Sequence, residues 1–183
     1  GFEKEQVKNE KARHRIIGLT IETRPDWITL EEIVRLRKLG CTRVELGVQT
    51  THEDILKRIN RDHGIAEVER AAVLLREAGF KMDFHLMPQL PGATPRRDYE
   101  MIKEIFENEN LRPDMVKIYP CLVLPNALLY AQYKRGLYKP YSDRELAEML
   151  IRAKSELIPR YCRISRLIRD IPGNWIMAGN TMT

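Results

Sequence analysis

The stretch RVELGVQT, residues 43–50, decides the fold. Val44, Leu46 and Val48 alternate with Arg43, Glu45, Gly47 and Gln49, which is the period of a β-strand with one apolar and one polar face. The segments on either side carry helical periodicity, so the strand belongs in a parallel sheet. Parallel strands covered on both faces read as near-continuous apolar runs. This one carries an arginine, a glutamate and a glutamine on one side.

Working outward, the same strand–loop–helix unit recurs. A strand RIIGLTIET from Arg15 leads to a helix whose start reads as a capping box, Thr29 with Glu32, and which stops at Gly40. After TRVELGVQ comes a short helix from about Thr51, boxed by Thr50 and Glu53. The longer helix IAEVERAAVLLREAG has Ile65, Val68, Ala72, Leu75 and Ala78 on one stripe. Strand KMDFHLM, a Pro/Gly loop and a helix opened by Thr94 and Pro95 follow. Strand DMVKIY, helices around Leu128–Lys134 and Ser142–Ile158, and strand YCRISRLI complete the series.

Strands alternating with helices imply an α/β fold with right-handed crossovers. A doubly wound sheet and a barrel both fit that alternation; the strand faces favour a partial (βα) TIM-like barrel. Ile17, Leu19 and Ile21 alternate with Gly18, Thr20 and Glu22; Met82, Phe84 and Leu86 with Lys81, Asp83 and His85; Val116 and Ile118 with Lys117 and Tyr119. Each unpaired buried ion costs several kcal/mol against a total stability of about 5–15 kcal/mol. The charges on the polar faces therefore pair with one another or border a wet hollow. Glu22, Gln49, His85, Lys117 and Tyr119 lie toward the C-terminal ends of their strands, where barrels of this kind carry active sites.

Composition narrows the class. The 183 residues suffice for one core, and no apolar run approaches the roughly 20 residues of a membrane span. A net charge of +5 allows a phosphate-bearing partner. Cys41, Cys121 and Cys162 are far apart and odd in number, which suggests neither a disulfide framework nor a metal motif, and a reducing, cytoplasmic setting is expected.

The segments GLTIETRPD, GCTRVELGVQT, NRDHG, GFKMDFHLMPQLPG, RPDMVKIYP and RDIP together resemble the radical S-adenosylmethionine (SAM) domain of the Elongator catalytic subunit family, the tRNA wobble-uridine carboxymethylating enzymes also called tRNA uridine acetyltransferases. The resemblance spans nearly the whole chain, in order. It implies a partial barrel of radical SAM type that holds SAM beside a [4Fe-4S] cluster. It further implies a 5′-deoxyadenosyl radical that activates acetyl-CoA for addition to uridine in tRNA. The positions matching Glu22, Gln49 and Arg61 contact SAM in the wider superfamily: a carboxylate for ribose hydroxyls or the amino group, an amide, and an arginine fork for the SAM carboxylate. His85 stands where coproporphyrinogen-oxidase relatives carry aspartate, and histidine there fits the Elongator-type pattern. Lys117 and Tyr119 share a strand face and are the candidate catalytic pair. Blander readings exist for each residue. Glu22 could pair with Arg24, Arg61 could be an ordinary surface arginine, His85 a satisfied interior histidine, and Tyr119 core packing.

The family's cluster hangs on three closely spaced cysteines, a spacing that Cys41, Cys121 and Cys162 do not have, so no metal ligand is assigned. By the resemblance, the chain is expected to start mid-domain and, ending at MAGNTMT, to lack the family's acetyl-CoA-binding domain. Residues 1–183 are accordingly expected to be an internal radical SAM fragment, incomplete at the N-terminus and inactive alone.

Basic and aromatic residues mingle in YAQYKRGLYKPY (Tyr130, Tyr133, Lys134, Arg135, Tyr138, Lys139) and PRYCRISRLIRD (Arg163, Arg166, Arg169). Cations neutralise phosphates and rings stack on splayed bases, so with the resemblance Lys134, Arg135, Lys139, Arg163, Arg166 and Arg169 are candidate tRNA contacts. Other Elongator-type subunits are possible partners, a membrane is not. The bland reading is a solvated helix end and a salt-bridged strand. Two other functions fit: another radical SAM enzyme of the coproporphyrinogen-oxidase-like group, or a non-catalytic tRNA-binding module.

Overall fold

The computed structural model describes residues 1–180. Among them, five strands form one parallel sheet in the sequential order β1 (Thr20–Thr23), β2 (Arg43–Gln49), β3 (Lys81–Leu86), β4 (Met115–Ile118), β5 (Arg163–Leu167). Helix α1 (Phe2–Lys11) precedes the sheet. A 3-10 turn (Pro25–Trp27) and α2 (Leu30–Lys38) join β1 to β2, and α3 (Glu53–Arg58) with α4 (Ile65–Glu77) join β2 to β3. Helix α5 (Pro95–Glu107) joins β3 to β4, and α6 (Leu128–Lys134) with α7 (Asp143–Glu156) join β4 to β5. No helix is long and apolar enough to cross a membrane.

The order answers the puzzle of the opening stretch. A doubly wound sheet reverses its strand order at a switch point, and this one never does. With every crossover of the same hand, a sequential order sends every helix to the same face. Val44, Leu46 and Val48 pack there with Met82, Phe84, Leu86, Val116 and Ile118 against Leu36, Val68, Leu75, Ile102 and Met149. Among the described residues the other face has no helix layer, and its polar side chains meet each other. Registers align Glu22, Glu45, Asp83, Met115 and Arg163 in one cross-strand row.

Two expectations are corrected. The first strand begins at Thr20, not Arg15. Arg43 opens β2 and pairs with Thr20; before it only Leu19 reaches that segment, its carbonyl accepting from the Thr42 and Arg43 N–H groups, while the Ile16 backbone bonds the Asn9 side chain instead, and Ile17 is 88% exposed and Leu19 37%. The Thr50–Glu53 box does not form either. His52 is the N-cap of α3, Thr50 Oγ1 accepts from the His52 N–H, and Glu53 Oε1 instead accepts the Ile65 N–H at 2.7 Å, capping the next helix. At α2 only half of the box is made: Thr29 Oγ1 accepts from the Glu32 N–H, and the Glu32 carboxylate pairs with Arg35. The Thr94 cap of α5 and the full Ser142–Glu145 box of α7 are present.

Candidate functional site

The site grows from two irregularities in the ladder. Between Leu46 and Gln49 the β2–β3 register slips, because Gly47 and Val48 together oppose His85. Val48 stays in the core, fully buried, and Gln49 takes a left-handed backbone at φ 70°. Alternation already assigns Gln49 to the open face, and although the slip pairs it with the core-facing Leu86, the left-handed backbone keeps its amide on that open side. There Gln49 joins Glu22, Thr23, Arg24, Gly47 and Arg61 around an open cavity of about 360 Å³, within the size range of small-molecule sites. Gly47 keeps it clear: a Cβ at that position would lie 3.0 Å from Gln49 Nε2 and 3.7 Å from Arg61 Nη2.

Arg61 is the residue of this cleft with an unmet need. It is half-buried, burial pulls its pKa below the ordinary arginine value, and Arg24 pulls the same way. Its guanidinium has no hydrogen bond or ion pair among the described residues. The nearby carboxylates are taken by Arg24, whose Nε bonds Asp26 at 3.0 Å and whose Nη1 bonds Asp62 at 3.0 Å. This disposes of the bland reading of Glu22, because Arg24 does not pair with it. It also puts Arg61 in a cavity wall and not on an ordinary surface.

His85 links this cleft to a second hollow. Its Nδ1 lies 3.4 Å from Glu22 Oε1 and its Nε2 2.9 Å from Glu45 Oε2; the Lys117 ammonium donates to the same Glu45 oxygen. Glu45 is 6% exposed. Burial pushes its pKa up, and the bonds from Lys117 and His85 more than offset that, leaving it below the usual glutamate value. The Tyr119 ring meets His85 edge-on, centroids 5.8 Å apart. Lys117 and Tyr119 both border the second hollow, of about 440 Å³, with Asp83, Ser165 and Arg166. Ser165 Oγ donates to Asp83 Oδ2 at 2.6 Å, and burial raises the Asp83 pKa. The polar faces are thus both paired and open to a ligand.

Glu22, Gln49 and Arg61 are therefore brought together, and His85, Lys117 and Tyr119 are joined to them through Glu45. Glu45 itself was not singled out from sequence, since a lone strand carboxylate gives no sign of its partners. The basic candidates divide. Lys134 and Lys139 border a groove with Tyr133 near the start of α7. Arg135, Arg163, Arg166 and Arg169 are all exposed, and of these Arg163 and Arg166 also border the second hollow. Tyr138 is corrected: it is 7% exposed and its hydroxyl donates to the Gln89 carbonyl at 2.7 Å, so it cannot stack on a base.

The cleft suits a ligand carrying a carboxylate, which Arg61 lacks, together with hydroxyl or amino groups for Glu22 and Gln49. It does not extend to a cluster. Cys41, Cys121 and Cys162 are buried thiols in three separate connecting segments, each held protonated by burial, with Cys121 raised to about 11 and Cys162 to about 12. They do not form an iron–sulfur ligand set.

Residues 2–107 match the Radical SAM superfamily and residues 113–183 the Radical_SAM C-terminal domain. The chain is 49% identical over 97% of its length to a tRNA uridine(34) acetyltransferase of Methanocaldococcus jannaschii, covering 33% of that protein. It is 40% identical over 96% of its length to human Elongator complex protein 3, covering 32% of it. In structure it is similar to the archaeal Methanocaldococcus infernus Elp3 with an N-terminal deletion: TM-score 0.91, 47% identity, covering 97% of this chain and 41% of that one. The chain spans about a third of the length of the curated relatives it matches.

Proposed function

Because this chain belongs to the radical SAM superfamily and is similar to its Elongator-type members, we propose that it is the SAM-binding part of an enzyme that adds an acetyl-CoA-derived carboxymethyl group to the wobble uridine of tRNA. The observation that carries the reading is the half-buried, unpaired Arg61 guanidinium in one cleft with Gln49 and Glu22. Arg61 receives the SAM carboxylate as a fork, Gln49 offers donor and acceptor to the same end, and Glu22 accepts from hydroxyl or amino hydrogens. His85, fixed between Glu22 and Glu45, forms the floor between SAM and the substrate side. There the Lys117 ammonium and Tyr119 hydroxyl face the reacting groups. The chemistry that SAM supplies when bound beside a reduced [4Fe-4S] cluster is hydrogen abstraction; the three cysteines of this chain do not provide that cluster's ligands. Lys134 and Lys139, with Tyr133 beside them, and the exposed Arg135 and Arg169 offer phosphate and base contacts to the tRNA.

The test is equilibrium dialysis of SAM against the full-length protein that carries this segment. Arg61→Gln removes a charge-assisted interaction of about 1.5–3 kcal/mol, so SAM binds about 10- to 100-fold more weakly and carboxymethyluridine formation in tRNA falls with it. Arg144→Gln, on an 87% exposed side chain in the first turn of α7 and outside the cleft, is the control. Undiminished SAM affinity in the Arg61 variant refutes the assignment of the cleft.

A further inference from the structure

The second hollow has its own unmet charge. The β4–β5 register slips as the β2–β3 register does: Arg163 faces Met115 and Ile164 faces Val116, but Arg166, not Ser165, faces Lys117. The inserted residue leaves Ile164 and Leu167 opposite the core residues Val116 and Ile118, and places both Ser165 and Arg166 on the open face. Arg163 is already there, in the row of Glu45 and Asp83. Four cations, Arg43, Lys117, Arg163 and Arg166, border this hollow against two carboxylates, Glu45 and Asp83. Lys117 is bound to Glu45, and Arg43 lies 3.9 Å from the other Glu45 oxygen while donating to Thr20. Asp83 Oδ2 accepts from the Ser165 hydroxyl and its buried Oδ1 has no hydrogen-bond partner, so neither oxygen receives a guanidinium. Arg163 and Arg166 are left, and neither guanidinium has a hydrogen bond or ion pair among the described residues. A strand irregularity that brings two unpaired guanidiniums beside a serine and a tyrosine hydroxyl, in a hollow with little apolar lining, describes a receptor for a compact, multiply hydrogen-bonding anion.

We propose that Arg163 and Arg166 form a phosphate-binding subsite of the substrate hollow, taking a phosphate ester next to the group that Lys117 and Tyr119 face. The arginines, exposed where they border the hollow, then serve one defined subsite and not a general tRNA-facing surface. The claim of a phosphate site rests on this geometry. Its role beside a reacting nucleotide rests on the function proposed above. Two sources share the chemistry: a phosphodiester of a nucleic acid, and the phosphate of a nucleotide coenzyme.

Binding of the uridine trinucleotide, of uridine nucleoside and of adenosine 3′,5′-bisphosphate to the full-length protein distinguishes them. With a nucleic-acid source, Arg163→Gln and Arg166→Gln each weaken trinucleotide binding about 10-fold. Each also lowers the slope of log affinity against log salt by nearly one, the value for a single lost phosphate contact, and nucleoside binding does not change. Arg166→Lys restores the salt slope but only part of the affinity, since the fork is gone. If the loss falls on the bisphosphate alone, the subsite stands and its ligand is the coenzyme. If both phosphate ligands bind both Gln variants as they bind the parent, with the same salt slope, the subsite is refuted. SAM affinity, measured in the same variants, keeps the two readings apart: it stays unchanged here and falls in Arg61→Gln. Failure of the Arg61 test with success of this one sinks the SAM assignment and leaves the phosphate site.

Discussion

Glu45→Gln is the sharpest test of how the open face is held together. The glutamate side chain is 9% exposed, and one of its oxygens receives both Lys117, 20% exposed, and His85, 9% exposed. Glutamine keeps the shape and one acceptor oxygen but removes the charge. Two charge-assisted bonds of about 1.5–3 kcal/mol become at best neutral-acceptor bonds of about 0.5–1.5 kcal/mol, and the Lys117 ammonium is left beside Arg43 without its counterion. Breaking a fully buried pair costs about 3–5 kcal/mol. This hollow is open enough for water to reach Lys117, so about 2–4 kcal/mol is expected, or about 5–15 °C in Tm for a chain of this size. The surface pair Arg144–Glu148, 87% and 63% exposed, gives the scale for comparison: Glu148→Gln changes stability by about 0.5 kcal/mol or less. Urea unfolding at pH 7 measures both. A double-mutant cycle with Lys117→Met assigns the coupling, expected at about 1.5 kcal/mol or more. The pH dependence has a definite sign. The folded-state pKa of Glu45 is depressed, so its contribution is complete above the ordinary glutamate value near 4.3–4.5 and is lost as pH falls through the depressed one. The gap between parent and variant closes on acidification. A Glu45→Gln loss no larger than that of Glu148→Gln, or strict additivity with Lys117→Met, refutes the view that this carboxylate organises the two hollows.

Two further outcomes follow from the same geometry. Gly47→Ala places a methyl 3.0 Å from Gln49 Nε2, the movable end of a side chain, so the amide swings out of the cleft; SAM affinity drops about 10-fold in dialysis, while thermal unfolding shifts by no more than about 1 kcal/mol. SAM affinity equal to the parent's, or a stability loss well beyond about 1 kcal/mol, contradicts this. Asp98, 1% exposed, is raised to about 6 by burial despite accepting the Gln89 N–H and the Tyr141 hydroxyl. An acid whose folded pKa is raised contributes stability below its unfolded value that is lost as pH rises, here between about 3.8 and about 6 and by roughly 3 kcal/mol at 1.36 kcal/mol per unit. Asp98→Asn therefore gains on the parent across that window and runs parallel to it above, as unfolding free energies measured from pH 4 to 7.5 would show; a constant difference is the contrary result.

The core face of the sheet was legible because burial repeats every second residue, and Val44, Phe84 and Val116 stand where alternation puts them. The helix stops at Gly40 and Gly79, both at φ 76°, were equally readable. Ile17 was misread because its apolar alternation is real, but strand formation needs a neighbour, and bonding to the β2 segment reaches back only to Leu19, with the Ile16 backbone held by Asn9 of α1. Glu53 was misread for a similar reason: a carboxylate three residues after a threonine fits a box, yet the orphan N–H it satisfies belongs to Ile65, across a turn. Glu45 was passed over because its partner Lys117 is 72 residues away.

What most escaped the sequence is what makes the site. Strict alternation gives the open face one side chain for every two residues, and a ligand site at the strand ends needs more polar groups than that. Each of the two register slips adds one residue near the C-terminal end of a strand: the one in β2 leaves Gln49 on the open face that alternation already gives it, and the one in β5 adds Arg166 to that face beside Ser165. The ladder gives up regular pairing at both places, and Gln49 accepts a left-handed backbone that asparagine or glycine would adopt more readily. Such irregularities are set by the neighbouring strand as much as by the residues themselves, so no local pattern announces them. Their coincidence with Arg61, Arg163 and Arg166, the guanidiniums bordering these hollows that lack a partner among the described residues, is the reason to read them as built for ligands.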